Sequence, residues 1–307
     1  MSAGNRLSAS SPSGSIFDLG YRHYAGKRHG RWYAAWSLYV ESLRGVWGFG
    51  RPMSAKAAPF ILAGLYSFFA FLQLAFSSTL ANEISSGQQV QLFAYDSYFT
   101  QFGFLLILFC VAQAPEVVCR DQRYQVLSLY FTRAMGRADY ALARLASLAT
   151  ALFLALIVPM IALFVGDVLM KPDTISAIGV ELPKALPAIP ADILIAASMA
   201  SISLALSSYS PRRAYSAIGL IAYFLLMEAV PAIIYAVAQQ GGWTSADKLV
   251  LLTPITSLSG ATDWFFGKAL GADYPATLGA DTYVVACIAS VAVFSAILLF
   301  RYRRMAA

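Results

Sequence analysis

Charge is scarce in this chain. Only 12% of its 307 residues are Asp, Glu, Lys or Arg, 59% are hydrophobic, and the mean hydropathy is +0.63. A soluble domain of this length needs more polar surface than that, so the composition excludes an ordinary water-soluble protein and points to lipid as the solvent. Histidine is nearly absent as well: His23 and His29 both lie in the basic N-terminal segment and form neither a HExxH nor a Cys/His metal spacing. The three cysteines, Cys110, Cys119 and Cys287, have no paired spacing and read as small buried hydrophobes. There is no GxxxxGK[ST], so the chain cannot by itself bind and hydrolyse ATP through a P-loop, and there is no GxSxG. No acidic cluster stands at a membrane boundary to hold Mg²⁺, which leaves a membrane lipid enzyme without its acids or nucleophile. No catalytic, cofactor-binding or metal-ligating residue is therefore expected, and the chain is not read as an enzyme. The first 15 residues are rich in Ser, Gly and Ala and hold no apolar core, so no cleavable signal peptide is expected; residues 1–30 read as a cytoplasmic tail, partly disordered.

Long uncharged apolar runs are what the chain has instead. About 20 apolar residues cross a hydrocarbon core of about 30 Å as a helix. Six runs qualify, near Ala57–Ser78, Tyr98–Ala114, Leu142–Val165, Ile193–Ser207, Ala214–Ala238 and Tyr283–Phe300. The fourth is short unless Ala188 and Pro190 extend it. The runs are continuous rather than alternating, which excludes a β-barrel and predicts an all-α integral membrane protein with six transmembrane helices.

The basic residues orient them. With the N-terminus inside, 18 of the 22 Lys and Arg residues, including every arginine, fall on the cytoplasmic side. Lys171, Lys184, Lys248 and Lys268 fall opposite, outnumbered there by acids that include Glu83, Asp96, Asp167, Asp192 and Asp263. Both termini are thus expected in the cytoplasm, as is the basic tail 301–307. The net charge of +6 needs no nucleic acid to explain it, because the charge flanks membrane spans.

Before the first span, Trp32, Trp36, Val40, Leu43 and Trp47 recur on one helical face, with Ser37, Glu41 and Arg44 opposite. Segment 31–56 is read as an amphipathic helix lying in the headgroup layer or packed on a soluble partner. The cytoplasmic segment 115–141 is longer than a turn requires and has an apolar, aromatic centre of Tyr124, Val126, Leu127, Leu129, Tyr130 and Phe131 between charged borders, which suits a short helix exposed for docking or lying on the membrane surface. Ala197, Ser201 and Ala205 give the fourth span a narrow face for close helix packing. Segment 239–282 holds Trp243, Pro254 and the trio Trp264, Phe265 and Phe266, and is expected to form short helices touching the outer leaflet.

One ionisable residue stands deep in an apolar run. Glu228 is roughly 21 Å along the fifth helix at 1.5 Å per residue, and a charge there costs on the order of 2.5–3.5 kcal/mol. Pro231 follows and withholds its amide from Met227, so a bend beside a buried acid makes Glu228 and Pro231 pathway candidates. A neutral Glu228 hydrogen-bonded to a neighbouring helix, with a structural role, fits equally.

This layout resembles the permease subunit of ABC-2 type ABC transporters, over most of the chain. The stretch from Asp18 to Arg31, with Ser42-Leu-Arg44 and Gly48-Phe-Gly-Arg51, is similar to the N-terminal signature of a bacterial, largely actinobacterial, group of these permeases. The stretch from Asp121 to Arg144 gives a second match, with Ala134 where the family usually has proline. The resemblance implies an elbow helix at 31–56, a six-helix domain at 57–300, and a coupling surface of Arg120, Asp121, Arg123, Tyr124, Tyr130, Phe131 and Arg133. It also implies a separate ABC ATPase carrying ATP and Mg²⁺, a second permease copy or paralogue, membrane lipids as neighbours, the bacterial cytoplasmic membrane as location, and export of a hydrophobic or amphipathic substrate. Glu228 is not carried over from the family. The rival readings are a non-transporting membrane scaffold and a membrane-embedded lipid enzyme.

Overall fold

Peptide groups inside a bilayer find no water, so apolar runs of Leu, Ala, Ile and Phe satisfy their amides along their own helices. The computed structural model follows that rule. It describes Gly26, Tyr274 and Pro275 together with residues 30–83, 95–131, 135–171, 173–241, 244–271 and 277–304. Among the described residues there are ten α-helices, one 3-10 helix and no strand. The helices are α1 (Arg31–Val46), α2 (Met53–Glu83), α3 (Ser97–Arg123), α4 (Leu127–Phe131), α5 (Arg137–Leu169), α6 (Thr174–Ala185), α7 (Ala188–Ser207), α8 (Arg213–Gly241), α9 (Pro254–Phe265) and α10 (Ala280–Arg304), with the 3-10 helix at Thr244–Leu252. Six helical segments are long and apolar enough to cross a membrane: Ala55–Phe76, Tyr98–Arg123, Arg137–Leu169, Thr174–Ser207, Arg213–Gly241 and Ala280–Arg304.

Two boundaries differ from the sequence reading. The second span does not stop at Ala114: α3 runs through Pro115 to Arg123. Pro115 is buried among neighbouring helices, and the charge of Glu116 is met by Arg51 and Arg213, so neither residue breaks the helix. At the other border α5 begins at Arg137, where the Asp139 carboxylate accepts the Gly136 amide at 2.9 Å and closes the first turn. The segment expected at 115–141 therefore contracts to a connector around the five-residue α4. The fourth span is extended outward as its Ala188–Pro190 flank allows, and α6 continues it to Thr174.

Helix α7 is the centre of the bundle. It packs against α3, α5, α8, α9 and α10, and its small residues Ser201, Ser203 and Ala205 are fully buried, which lets those neighbours approach closely. Helix α2 lies on α5 and α3, and α10 lies on α7, α9 and α5. Helix α1 packs along α5 through Leu38, Ser42 and Val46, one residue per turn, rather than through the tryptophan stripe. Trp32 and Trp36 are left 87% and 62% exposed. The chain then turns at Gly48 and Gly50, with φ of 72° and 80°, before entering α2. A Cβ on Gly48 would come within 2.9 Å of the Ala55 carbonyl, so that turn needs glycine for both dihedral and space.

Alternating helix direction gathers the arginines at one end. Contacts there join the end of α3 to the starts of α2 and α8, and the start of α5 to the end of α10. At the opposite end Lys268 pairs with Asp96 at 2.7 Å, and Glu181 takes both Lys171 and Lys184. The chain is a multi-pass membrane protein with one arginine-rich end and one end dominated by acids.

Candidate functional site

The arginine-rich end carries a cavity of about 460 Å³ between α1, the Gly48–Arg51 turn, α3, α4 and α5. Its wall includes Arg120, Asp121, Tyr124 and Tyr130, four of the seven residues expected to form a coupling surface. A second cleft of about 290 Å³ adjoins it and adds Arg123.

A buried polar network holds this end together. The last turns of α3 place Asp121 inward, where its carboxylate accepts hydrogen bonds from the Arg144 guanidinium and, at 2.7 Å, from the Tyr140 hydroxyl. Arg144 also donates to the Ser42 hydroxyl at 2.8 Å, so one guanidinium ties α1 and α3 to α5. Both members of the ion pair are almost wholly withdrawn from solvent, with side chains 11% and 12% exposed. The guanidinium lies 5.2 Å from the Tyr140 ring centroid, within cation–π range.

Tyr140, fully buried, is the aromatic hub. Tyr130 and Phe131 of α4 pack on its ring at 5.6 and 6.1 Å, and Tyr302 of α10 packs at 5.1 Å. Burial pushes the Tyr130 hydroxyl above its ordinary pKa, with the nearby Asp121 carboxylate adding to it. Gln122 extends the network by donating to the Ser208 carbonyl at 2.9 Å. Around the rim, Arg31 donates to Asp139 at 2.5 and 2.7 Å, and this hydrogen bond with the carboxylate's field raises the Arg31 pKa. Glu116 sits between Arg51 and Arg213, the latter at 2.8 Å.

The expected coupling residues thus divide by direction. Arg120, Arg123 and Tyr124 are exposed, together with Leu129, which the sequence reading had counted only as part of the apolar centre. Tyr130 and Phe131 are half-buried and form the underside of α4. Asp121 is buried and serves as an anchor. Arg133 and Ala134 lie outside the described residues, as do His23, His29 and Trp243. Gln125, at φ 53°, makes the sharp turn from α3 into α4.

Glu228 lies elsewhere, on α8 near the N-terminus of α9. Its carboxylate accepts the Ile255 amide and the Thr256 hydroxyl, the latter at 3.4 Å. Pro254 takes the first position of α9, and the Ile255 amide, in the first turn, has no acceptor within the helix. The carboxyl group caps the first turn of α9, so the acid fastens the short helix to the fifth span. Pro231 is buried in α8.

The structure adds an acid that hydropathy had placed in an external loop. Asp192 is 2% exposed inside α7, one of its carboxylate oxygens has no hydrogen-bond partner, and among the described residues it has no ion pair. Tyr66 of α2, whose hydroxyl also lacks a partner, lies within its electrostatic reach. The sequence reading began the fourth span at Ile193, and only its extension through Ala188 and Pro190 takes in Asp192. Among the described residues no group of three or more His, Cys, Asp or Glu side chains could hold a metal ion. The chain matches no model of a known protein family and no curated protein.

Proposed function

We propose that this chain is the membrane subunit of an ABC-2 type transporter, moving a hydrophobic or amphipathic substrate with energy from a separate ATPase. One observation carries the reading: the end of α3 and the short α4 form an ordered ledge at the arginine-rich end, exposing Arg120, Arg123, Tyr124 and Leu129. The positive-inside bias supports a cytoplasmic position for that ledge, and the resemblance to ABC-2 permeases supports a bacterial membrane. A ledge built only to cover the bundle would turn its aromatic and apolar side chains inward, whereas Tyr124 and Leu129 are 66% and 64% exposed.

The mechanism follows from the anchoring. A partner that presses on the ledge displaces Asp121, and through Arg144 and Ser42 that displacement reaches α1 and α5 together. Closure of paired ATPases would favour one arrangement of two permease copies over the other, a population shift read out at the far end of the spans. ATP and Mg²⁺ belong to the partner. The tryptophan face of α1 suits an elbow helix in the cytoplasmic headgroup layer.

The test is co-purification from the native host in mild detergent. A P-loop ATPase is expected to accompany the chain and to be lost from Arg123→Glu and Tyr124→Ala, whose side chains are exposed and whose removal leaves the fold intact. If no ATPase accompanies the unaltered chain, the transport reading fails and a membrane scaffold takes its place.

A further inference from the structure

Helices α8 and α10 meet at one aromatic pair, Tyr223 and Phe294, with ring centroids 5.9 Å apart. That pair borders a cavity of about 350 Å³, in the range of about 300–1,000 Å³ seen for ligand sites. Ser198 and Ile202 of the central α7 form its floor, Ala286, Cys287 and Ala289 of α10 one wall, and Leu252 and Leu258 its roof.

Depth identifies what surrounds the opening. Tyr223 is ten residues from Arg213, and Phe294 ten from Arg304, so the aromatic pair lies about 15 Å from the arginines and Ala286 about 27 Å from them. Both depths fall within a hydrocarbon core about 30 Å thick, so the opening faces acyl chains rather than water or headgroups. The lining is chemically matched to them. Ser290 donates to the Cys287 carbonyl at 2.9 Å and Ser257 to the Leu251 carbonyl at 2.9 Å, so these two hydroxyls are spent on backbone, the Ser198 hydroxyl on the floor has no partner, and no charged side chain lines the cavity. Leu252 and Val293, at 57% and 55% exposure, flank the entrance, whereas Leu258 and Cys287 behind it are 2% and 3% exposed.

We infer that this cleft binds an acyl chain of a bilayer lipid from the leaflet away from the arginine-rich end. Burying hydrocarbon against hydrocarbon gains little from the hydrophobic effect inside a membrane, so occupancy rests on packing that an empty cleft lacks. The site is independent of the transport reading and would stand in a scaffold equally.

The test is photolabelling of the full chain in phosphatidylcholine vesicles containing a phospholipid with a diazirine on its acyl chain, with adducts mapped by mass spectrometry. Adducts are expected on Ser198, Leu258 or Cys287, which bulk lipid cannot reach, as well as on outward Leu225. Ala289→Phe, which fills the cleft, should lower the floor adducts about tenfold or more and leave the Leu225 adduct unchanged. Ala286→Leu serves as a milder second variant, with a partial loss. The inference is overturned if the floor residues carry no adduct in the unaltered chain, or if neither variant lowers it relative to Leu225. It is also overturned if lipid-free crosslinking places a second copy's helix in the cleft.

Discussion

Removing the Asp121 carboxylate should be the most damaging single polar change at the arginine-rich end. In Asp121→Ala the Arg144 guanidinium keeps only Ser42 and the face of Tyr140, and the Tyr140 hydroxyl loses its acceptor. Breaking a buried ion pair from one side costs about 3–5 kcal/mol, because the surviving charge stays buried without compensation. For a chain of this size each kcal/mol moves Tm by about 2–4 °C, which gives a fall of roughly 6–20 °C. Asp121→Asn keeps an acceptor for Tyr140 and for the guanidinium, so its loss should be smaller, about 1–3 kcal/mol. The double variant Asp121→Leu with Arg144→Met removes both charges and should recover most of the loss, since an apolar replacement of both partners is often close to neutral. Thermal unfolding of these proteins and of the single variants Asp121→Leu and Arg144→Met in one detergent, followed by intrinsic fluorescence and by size-exclusion recovery, measures all of this. A shift below about 2 °C for Asp121→Ala, or simple additivity in the double variant, would refute the argument that this pair anchors three helices.

Other outcomes follow from individual residues. Glu228→Ala should cost about 0.5–2 kcal/mol as a lost helix cap, and Glu228→Gln, which can still accept the Ile255 amide, less than half of that; a Gln variant of unchanged Tm with abolished transport would instead mark a pathway residue. Asp192→Asn should leave Tm unchanged or raise it, because the carboxylate has no cation among the described residues, and a fall of more than a few degrees would reveal a bound counter-charge. Burial, and then the neighbouring Asp96, raise the Asp263 pKa above its usual range, so the folded protein holds this proton more tightly than the unfolded chain does. Its contribution to stability is therefore most favourable below about pH 3.9 and declines as pH rises through the folded pKa; Tm measured for Asp263→Asn against the unaltered chain should show a difference that grows in that direction.

Composition and periodicity were enough to establish an all-helical membrane protein with six spans, because apolar runs of bilayer length have one local solution and arginine bias needs no contacts to be seen. The aromatic centre at Tyr124–Phe131 was visible from its residues, and a helix starting at Arg31 from its periodicity, although it ends at Val46 rather than running to residue 56 and packs through Leu38, Ser42 and Val46. Where charge interrupted an apolar run, local reading failed. Pro115 and Glu116 looked like the end of a span, but Arg51 and Arg213, distant in sequence, neutralise the acid and let α3 continue to Arg123. Asp192 looked like a loop residue and is buried in α7, and the role of Glu228 depends on α9, a helix 26 residues further along. The division of the ledge into an outward Arg120, Arg123 and Tyr124 and an inward Asp121, Tyr130 and Phe131 required Tyr140 and Arg144 to be in place beneath it. Hydropathy is a property of a segment, and a sequence carries it unaided. Whether a buried charge is paired, capped or left alone is a property of its neighbours, and only the packed bundle decides that.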